Sequence, residues 1–201
     1  MDITTLEQLC LTWGERVAAL TPAQWTTPTR LPEWTVQDLV AHMAPDKQVL
    51  DFLRGERVES PTVTSGAQWL RIFNEPGGAA HTLADDVAEQ AQQCSVIGPE
   101  ALVRHFAEDG PAMLDELRDA DPAAGLVHPV LGTVSFQALT DTMIVEATTH
   151  LLDLIDAIGG DAPPEPGLRR TVEILSAVAD PVAFIEAATG RSHTPVLPVM
   201  R

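Results

Sequence analysis

The sequence is poor in cationic residues and contains no long apolar run. Its 12 lysine and arginine residues face 29 aspartate and glutamate residues, and the formal net charge is -17. Such a charge repels phosphate backbones and anionic lipids, which argues against nucleic acid and membrane surfaces as partners. The sequence has no apolar segment of about 18 residues and no basic N-terminal stretch followed by an apolar one. We therefore expect a cytoplasmic protein.

Cysteine is also scarce. The only two cysteines, Cys10 and Cys94, form no CxxC pair and cannot build a disulfide framework. Each lies in a helix-like segment, where we expect it to pack as a small apolar residue, and nothing supports a catalytic cysteine. The chain has 201 residues, of which 45% are hydrophobic, which suits one globular domain with a sizeable core.

Apolar residues recur at helical spacing over most of the chain, and no convincing strand pattern occurs. The predicted helices cover residues 5–20, 35–53, 68–74, 79–93, 100–117, 135–158 and 168–188, with breaks or kinks at Pro45, Pro111 and Pro181. A short extended piece is expected around residues 127–134. The predicted fold class is all-α. Residues 1–160 would form a helical bundle, and residues 161–201 would add a linker, a C-terminal helix and an extended tail on the same domain.

Two polar residues interrupt the apolar helix predicted over residues 135–158. Glu146 and His150 are four apart, so their side chains lie one above the other on the helix surface. Burying either group without a partner costs about 1–3 kcal/mol. The pair could be satisfied by a mutual hydrogen bond, or it could bind a divalent metal, for which a third ligand is needed. Asp153 is either an acceptor for the second His150 N–H or a solvated surface acid.

The third ligand could come from an earlier helix. Thr35 and Asp38 form a capping box, with Trp34 before it as a hydrophobic staple, so we assign Asp38 to the cap rather than to a metal. His42 follows among apolar neighbours, an unusual setting for an imidazole. Three protein ligands with an open position are typical of catalytic zinc, which lowers the pKa of a bound water or thiol. A thiolate suits such a borderline-soft ion.

Two motifs carry a resemblance to a known family. They are residues 31–43 (LPEWTVQDLVAHM) and residues 146–154 (EATTHLLDL), the second followed by Ala157, Ile158 and Gly159. Both resemble the signatures of the mycothiol-dependent maleylpyruvate isomerase family, which belongs to the DinB-like superfamily of four-helix metalloproteins. Residues 181–199 are similar to the ending of the shorter family members. The resemblance therefore extends over nearly the whole chain.

The resemblance implies a DinB-like four-helix bundle of up-down-down-up topology that binds a divalent metal, usually zinc, through His42, Glu146 and His150. Characterised members use the metal to activate the thiol of mycothiol for isomerisation or S-transfer. Here Met143 stands where the family usually has an arginine, which leaves thiol and substrate recognition open. The isomerase's additional C-terminal domain has no counterpart in residues 161–201, so we do not expect maleylpyruvate isomerisation itself.

Three functions follow from these observations. The first is a metal- and thiol-dependent transferase or isomerase, using mycothiol or another low-molecular-weight thiol on a small electrophile. Its predicted pocket walls are Trp34, Met43, Met143 and His128. The second is a non-catalytic bundle that binds a metal or a small molecule, and the third is an interaction module without a metal. The expected partner is a small-molecule substrate, and a homodimer is left open.

Overall fold

The computed structural model describes residues 1–192, Val196 and Pro198. The first half of the chain contains α1 (Ile3–Ala18), α2 (Pro22–Trp25), α3 (Val36–Met43), α4 (Lys47–Leu53), β1 (Arg57–Val58), α5 (Gly66–Asn74), α6 (Ala79–Thr82) and α7 (Ala84–Ser95). The second half contains α8 (Pro99–Arg104), α9 (Gly110–Arg118), β2 (Gly125–His128), β3 (Gly132–Ser135), α10 (Phe136–Ile158), α11 (Glu165–Val178) and α12 (Pro181–Ala188). The all-α fold class is confirmed.

Helix α10 is the central element, and it packs against α1, α3, α5 and α11. It begins where the Ser135 side chain accepts a hydrogen bond from the Ala138 N–H, and it ends at Gly159, whose φ of 76° favours glycine. Trp13 of α1 fixes its middle, because the indole Nε1–H donates to the Ala147 carbonyl at 3.0 Å. A buried indole needs such a partner, so this bond sets how α1 lies on α10.

The prolines act as the sequence predicts. Helix α3 ends at Met43, and Pro45 separates it from α4, which starts after the Asp46 N-cap. Pro111 lies in the first turn of α9, and the five residues before that helix, His105–Asp109, form a π-helical turn. Pro181 begins α12. The extended tail expected over residues 191–201 falls largely outside the described residues.

One region forms strands, although the sequence contains no convincing strand pattern. Strands β1, β2 and β3 form a small antiparallel sheet in that order, and Val63 bridges to Val134 beside it. Strands β2 and β3 pair from Gly125 with Ser135 to His128 with Gly132. The expected extended piece at 127–134 is thus the turn of a hairpin with its flanking residues. Strands of two to four residues are too short to show an alternating pattern.

A buried polar cluster joins α11 to the centre of the molecule. Asp141 of α10 is only 3% exposed, and its carboxylate accepts hydrogen bonds from the Gly66 N–H, the Gln137 side chain and the Arg170 guanidinium. Three separate elements therefore meet at one carboxylate. Cys10 and Cys94 are both free and pack at the edge of the core. Within the described part of the chain, no helix is long and apolar enough to cross a membrane.

Candidate metal centre

Helix α10 presents Glu146 and His150 to the same side. Residues one turn away on either side of the pair, such as Thr142 and Leu154, are buried, so the pair lies at the edge of the core. The His150 side chain is 14% exposed and the Glu146 side chain 38%. His150 Nε2 lies 3.3 Å from Glu146 Oε2, as the four-residue spacing predicts.

Helix α3 brings His42 to this pair. The predicted capping box is present, because the Thr35 hydroxyl accepts from the Asp38 N–H and the Asp38 carboxylate accepts from the Thr35 N–H at 2.9 Å. This cap fixes where the helix starts and hence which side of it carries His42. The ligand atoms of His42, Glu146 and His150 all lie within 4.8 Å of one another.

The spacing of these atoms can be compared with that of a zinc site. Ligand atoms placed tetrahedrally at zinc bond lengths of 2.0–2.2 Å are about 3.4 Å apart. The 3.3 Å between His150 and Glu146 already matches this value, and the 4.8 Å limit leaves about 1.4 Å for side-chain rotation to close. Among the described residues, neither His42 ring nitrogen has a hydrogen-bond partner. The donor set therefore fits a divalent metal.

The two imidazoles have opposite protonation behaviour. Burial, helped by the positive charge on His150, lowers the pKa of His42 to about 4, so His42 is neutral at pH 7. Burial also opposes charge on His150, but hydrogen bonds to Asp153 and Glu146 outweigh it and raise its pKa to about 9. The pKa of Glu146 is lowered because the His150 hydrogen bond and charge outweigh the effect of burial. Without a metal, the protonated His150 ring therefore donates from Nδ1 to Asp153 and from Nε2 to Glu146.

Asp153 lies behind His150. Its side chain is 4% exposed, and Oδ2 lies 2.7 Å from His150 Nδ1, which donates to it. The other oxygen, Oδ1, accepts from Arg30 Nε at 2.6 Å. Arg30 is a loop residue 123 positions earlier in the sequence, and no motif or spacing singles it out. The series of contacts from Arg30 through Asp153 to His150 is therefore apparent only from the structure.

Trp34 covers the two imidazoles. Its ring centroid is 5.2 Å from that of His42, edge to face, and 6.4 Å from that of His150, nearly parallel. Met43 and Met143 are half-buried against the core, next to His42 and one turn before Glu146. His128 lies with Phe52 and Trp69, and its Nδ1 accepts from the backbone of residues 130 and 131. Within the described residues, no ring contact or hydrogen bond joins it to the three candidate ligands.

Two surface clefts lie elsewhere. One of about 370 Å³ is lined by acidic residues of α9 together with Arg57 and Phe136. The other, of about 270 Å³, lies between the end of α1 and the end of α10. Neither cleft is lined by His42, Glu146 or His150.

Fold and site together define a helical bundle with a two-histidine, one-glutamate candidate metal centre. Residues 6–155 match the family model described as the mycothiol maleylpyruvate isomerase N-terminal domain, so the chain belongs to that family. A search of curated proteins finds no significant match.

The solved structures give the same fold. The chain is similar to the crystal structure of the mycothiol-dependent maleylpyruvate isomerase, with a TM-score of 0.52 and 16% identity over 84% of this chain. A histidine-to-alanine mutant of that isomerase gives a TM-score of 0.53 at the same identity. The chain spans 65% of the length of each isomerase structure.

Proposed function

We propose that His42, Glu146 and His150 hold a divalent metal, with zinc as the expected ion, and that the site acts on a low-molecular-weight thiol. The observation that carries this proposal is the convergence of three ligand atoms within 4.8 Å. One of the three residues is His42, whose ring nitrogens have no hydrogen-bond partner among the residues that the structure describes. Membership of a family described by its mycothiol-linked isomerase supports the choice of thiol. A transferase or isomerase acting on a small electrophile is the resulting function.

Each residue has a defined part in this proposal. A divalent ion held by two nitrogens and one oxygen would keep an open position and supply the Lewis acidity that favours a bound thiolate over a thiol. His42 is neutral at pH 7 and can offer a lone pair without losing a proton. Asp153 accepts from His150 Nδ1, which leaves Nε2 facing Glu146 for the metal. Trp34 packs on both imidazoles and keeps water from that side.

The electrophile would be uncharged. Met143 lies one turn before Glu146, where its thioether offers no charge to a substrate carboxylate. We therefore expect apolar or uncharged electrophiles to be preferred over dicarboxylates, with Met43 and Trp34 as the nearby walls. A cytoplasmic location and a small-molecule substrate belong to the same proposal.

A second candidate is a non-catalytic bundle that binds a metal or small molecule. The observation that favours it is that neither of the two clefts described above is lined by a candidate ligand. A third candidate has no metal, because Glu146 and His150 can pair with each other, with Nε2 3.3 Å from Oε2. Metal content separates the third candidate from the other two.

The first test is elemental analysis of the purified protein and of two variants. One divalent ion per chain is expected in the wild type, and His42→Ala and His150→Ala should each lose most of it. His105→Ala is the matched control, since His105 pairs with Asp109 and is not one of the three candidate ligands, so this variant should keep the ion. Full metal content in both ligand variants would refute the assignment.

The second test separates an enzyme from a binding protein. Cobalt replaces zinc in a variant in which Cys10 and Cys94 are serine, and mycothiol, bacillithiol or glutathione is added. A sulfur-to-cobalt charge-transfer band is expected only if a thiolate enters an open position. A spectrum unchanged by all three thiols would favour the non-catalytic bundle. Faster turnover of a dicarboxylate than of an uncharged electrophile would keep the enzyme but contradict the specificity proposed from Met143.

A further inference from the structure

The loop before α3, residues 26–35, contacts the candidate centre at two points. Trp34 packs on His42 and His150, and Arg30 reaches Asp153. Backbone bonds hold the loop against the start of α3: the Thr29 N–H donates to the Trp34 carbonyl at 2.8 Å, and the Val36 N–H donates to the Thr27 carbonyl at 2.9 Å. Because the loop is anchored to α3, the position of Arg30 depends on the helix that carries His42.

Arg30 reaches across to the other helix of the site. Asp153 is on α10, the helix that carries Glu146 and His150, and each of its two oxygens has a different partner. A buried carboxylate held at one oxygen can turn about its last torsion, whereas one held at both has a single orientation. The orientation of Asp153 in turn decides where the His150 ring points.

We propose that Arg30 is a positioning residue for the metal centre: through Asp153 it holds the His150 imidazole in the orientation that binds the ion. This inference rests on the proposed metal site and names the residue that prepares it. It also gives the loop a role, because one segment anchored to α3 then controls a ligand on α10. Arg30 itself touches neither metal nor substrate.

An ordinary surface ion pair would show the same short distance but would not influence metal binding. The Arg54–Glu116 pair provides this comparison. Arg54 Nε lies 2.6 Å from Glu116 Oε1, the same distance as the Arg30–Asp153 contact. The two arginine side chains are also similarly exposed, 55% for Arg54 and 49% for Arg30. Glu116 lines the acidic cleft, and none of the hydrogen bonds or ion pairs among the described residues joins it to a candidate ligand. Of these two carboxylates, Asp153 is the one that contacts a candidate ligand, His150.

The experiment compares Arg30→Met with Arg54→Met. Zinc affinity is measured by competition with a chromophoric chelator, and the unfolding transition of each metal-free variant is recorded in urea. Removing a partner behind a metal ligand weakens affinity about 10–100-fold, so Arg30→Met should bind zinc at least about tenfold more weakly than the wild type. Arg54→Met should keep its zinc affinity within about twofold. It should also lose less stability than Arg30→Met, because Glu116 is 26% exposed and Asp153 only 4%. Arg30→Lys should recover part of the affinity because it restores the charge but not the planar contact.

Zinc affinity in Arg30→Met within twofold of the wild type would overturn the proposal and leave an ordinary ion pair. A second measurement separates this result from failure of the metal site itself. In the metal-free protein the His150 Nδ1–H should give a protected imidazole signal in a ¹⁵N–¹H NMR spectrum, and Arg30→Met should lose it. If the wild type binds no zinc, the proposed function fails. In that case the positioning role is judged by the NMR signal alone, and it is refuted if the signal is equally sharp in the wild type and in Arg30→Met.

Discussion

Zinc and a proton should compete for His150, and this competition makes metal binding pH-dependent. The metal-free pKa of His150 is about 9, so at pH 7 its Nε2 carries a proton shared with Glu146. His42 has a pKa of about 4 and Glu146 a lowered pKa, so both are ready to bind. Binding at pH 7 should therefore release about one proton, from His150, and not two.

The size of the effect follows from the pKa of His150. Two pH units below that value, about one molecule in 100 has a neutral His150, which weakens the apparent zinc affinity about 100-fold, or about 2.7 kcal/mol. The apparent affinity should rise about tenfold for each pH unit between pH 6 and pH 8. If both histidines had ordinary pKa values, the dependence would be shallow above pH 7.

Isothermal titration calorimetry in buffers of different ionisation enthalpy counts the released protons, and chelator competition gives the affinities. Asp153→Asn is the informative variant, because it keeps an acceptor for His150 Nδ1 but removes the charge that helps to raise the His150 pKa. It should release fewer protons at pH 7. A wild-type affinity that does not change between pH 6 and pH 8 would refute the assignment of the proton to His150.

Two further predictions concern stability. In the metal-free protein the His150 pKa is raised above its unfolded value of 6.5, so this stabilisation is complete below pH 6.5 and lost as pH rises through about 9. Urea unfolding should show a loss of about 3 kcal/mol over that interval, and His150→Gln should abolish most of the slope. Asp141→Asn should cost about 3 kcal/mol, because it leaves Arg170 with a buried neutral partner. Glu173→Gln, at the exposed end of the same arginine, should cost under about 1 kcal/mol in the same assay.

Local sequence patterns determined most of the helices. The capping box at Thr35 and Asp38, Pro45 after α3 and Gly159 after α10 each act within a few residues, so their effect can be predicted without the rest of the chain. Helical periodicity likewise placed Glu146 and His150 on one side of α10. The pairing of His42 with them was predicted from residue chemistry and family resemblance, since the packing of α3 on α10 has no local signal.

The tertiary structure alone decided what lies around the three candidate ligands. Arg30 meets Asp153 across 123 positions, and Trp34, which the sequence assigned to a staple and a pocket wall, packs on both imidazoles. His128 lies at the end of β2 in the β2–β3 hairpin, where its ring contacts Phe52 and Trp69. The strands of this hairpin are too short to give a recognisable alternating pattern in the sequence. Hydrogen bonds within a helix depend on neighbours along the chain. Contacts between a loop and a distant helix depend on how every intervening element packs, and no short sequence window contains that information.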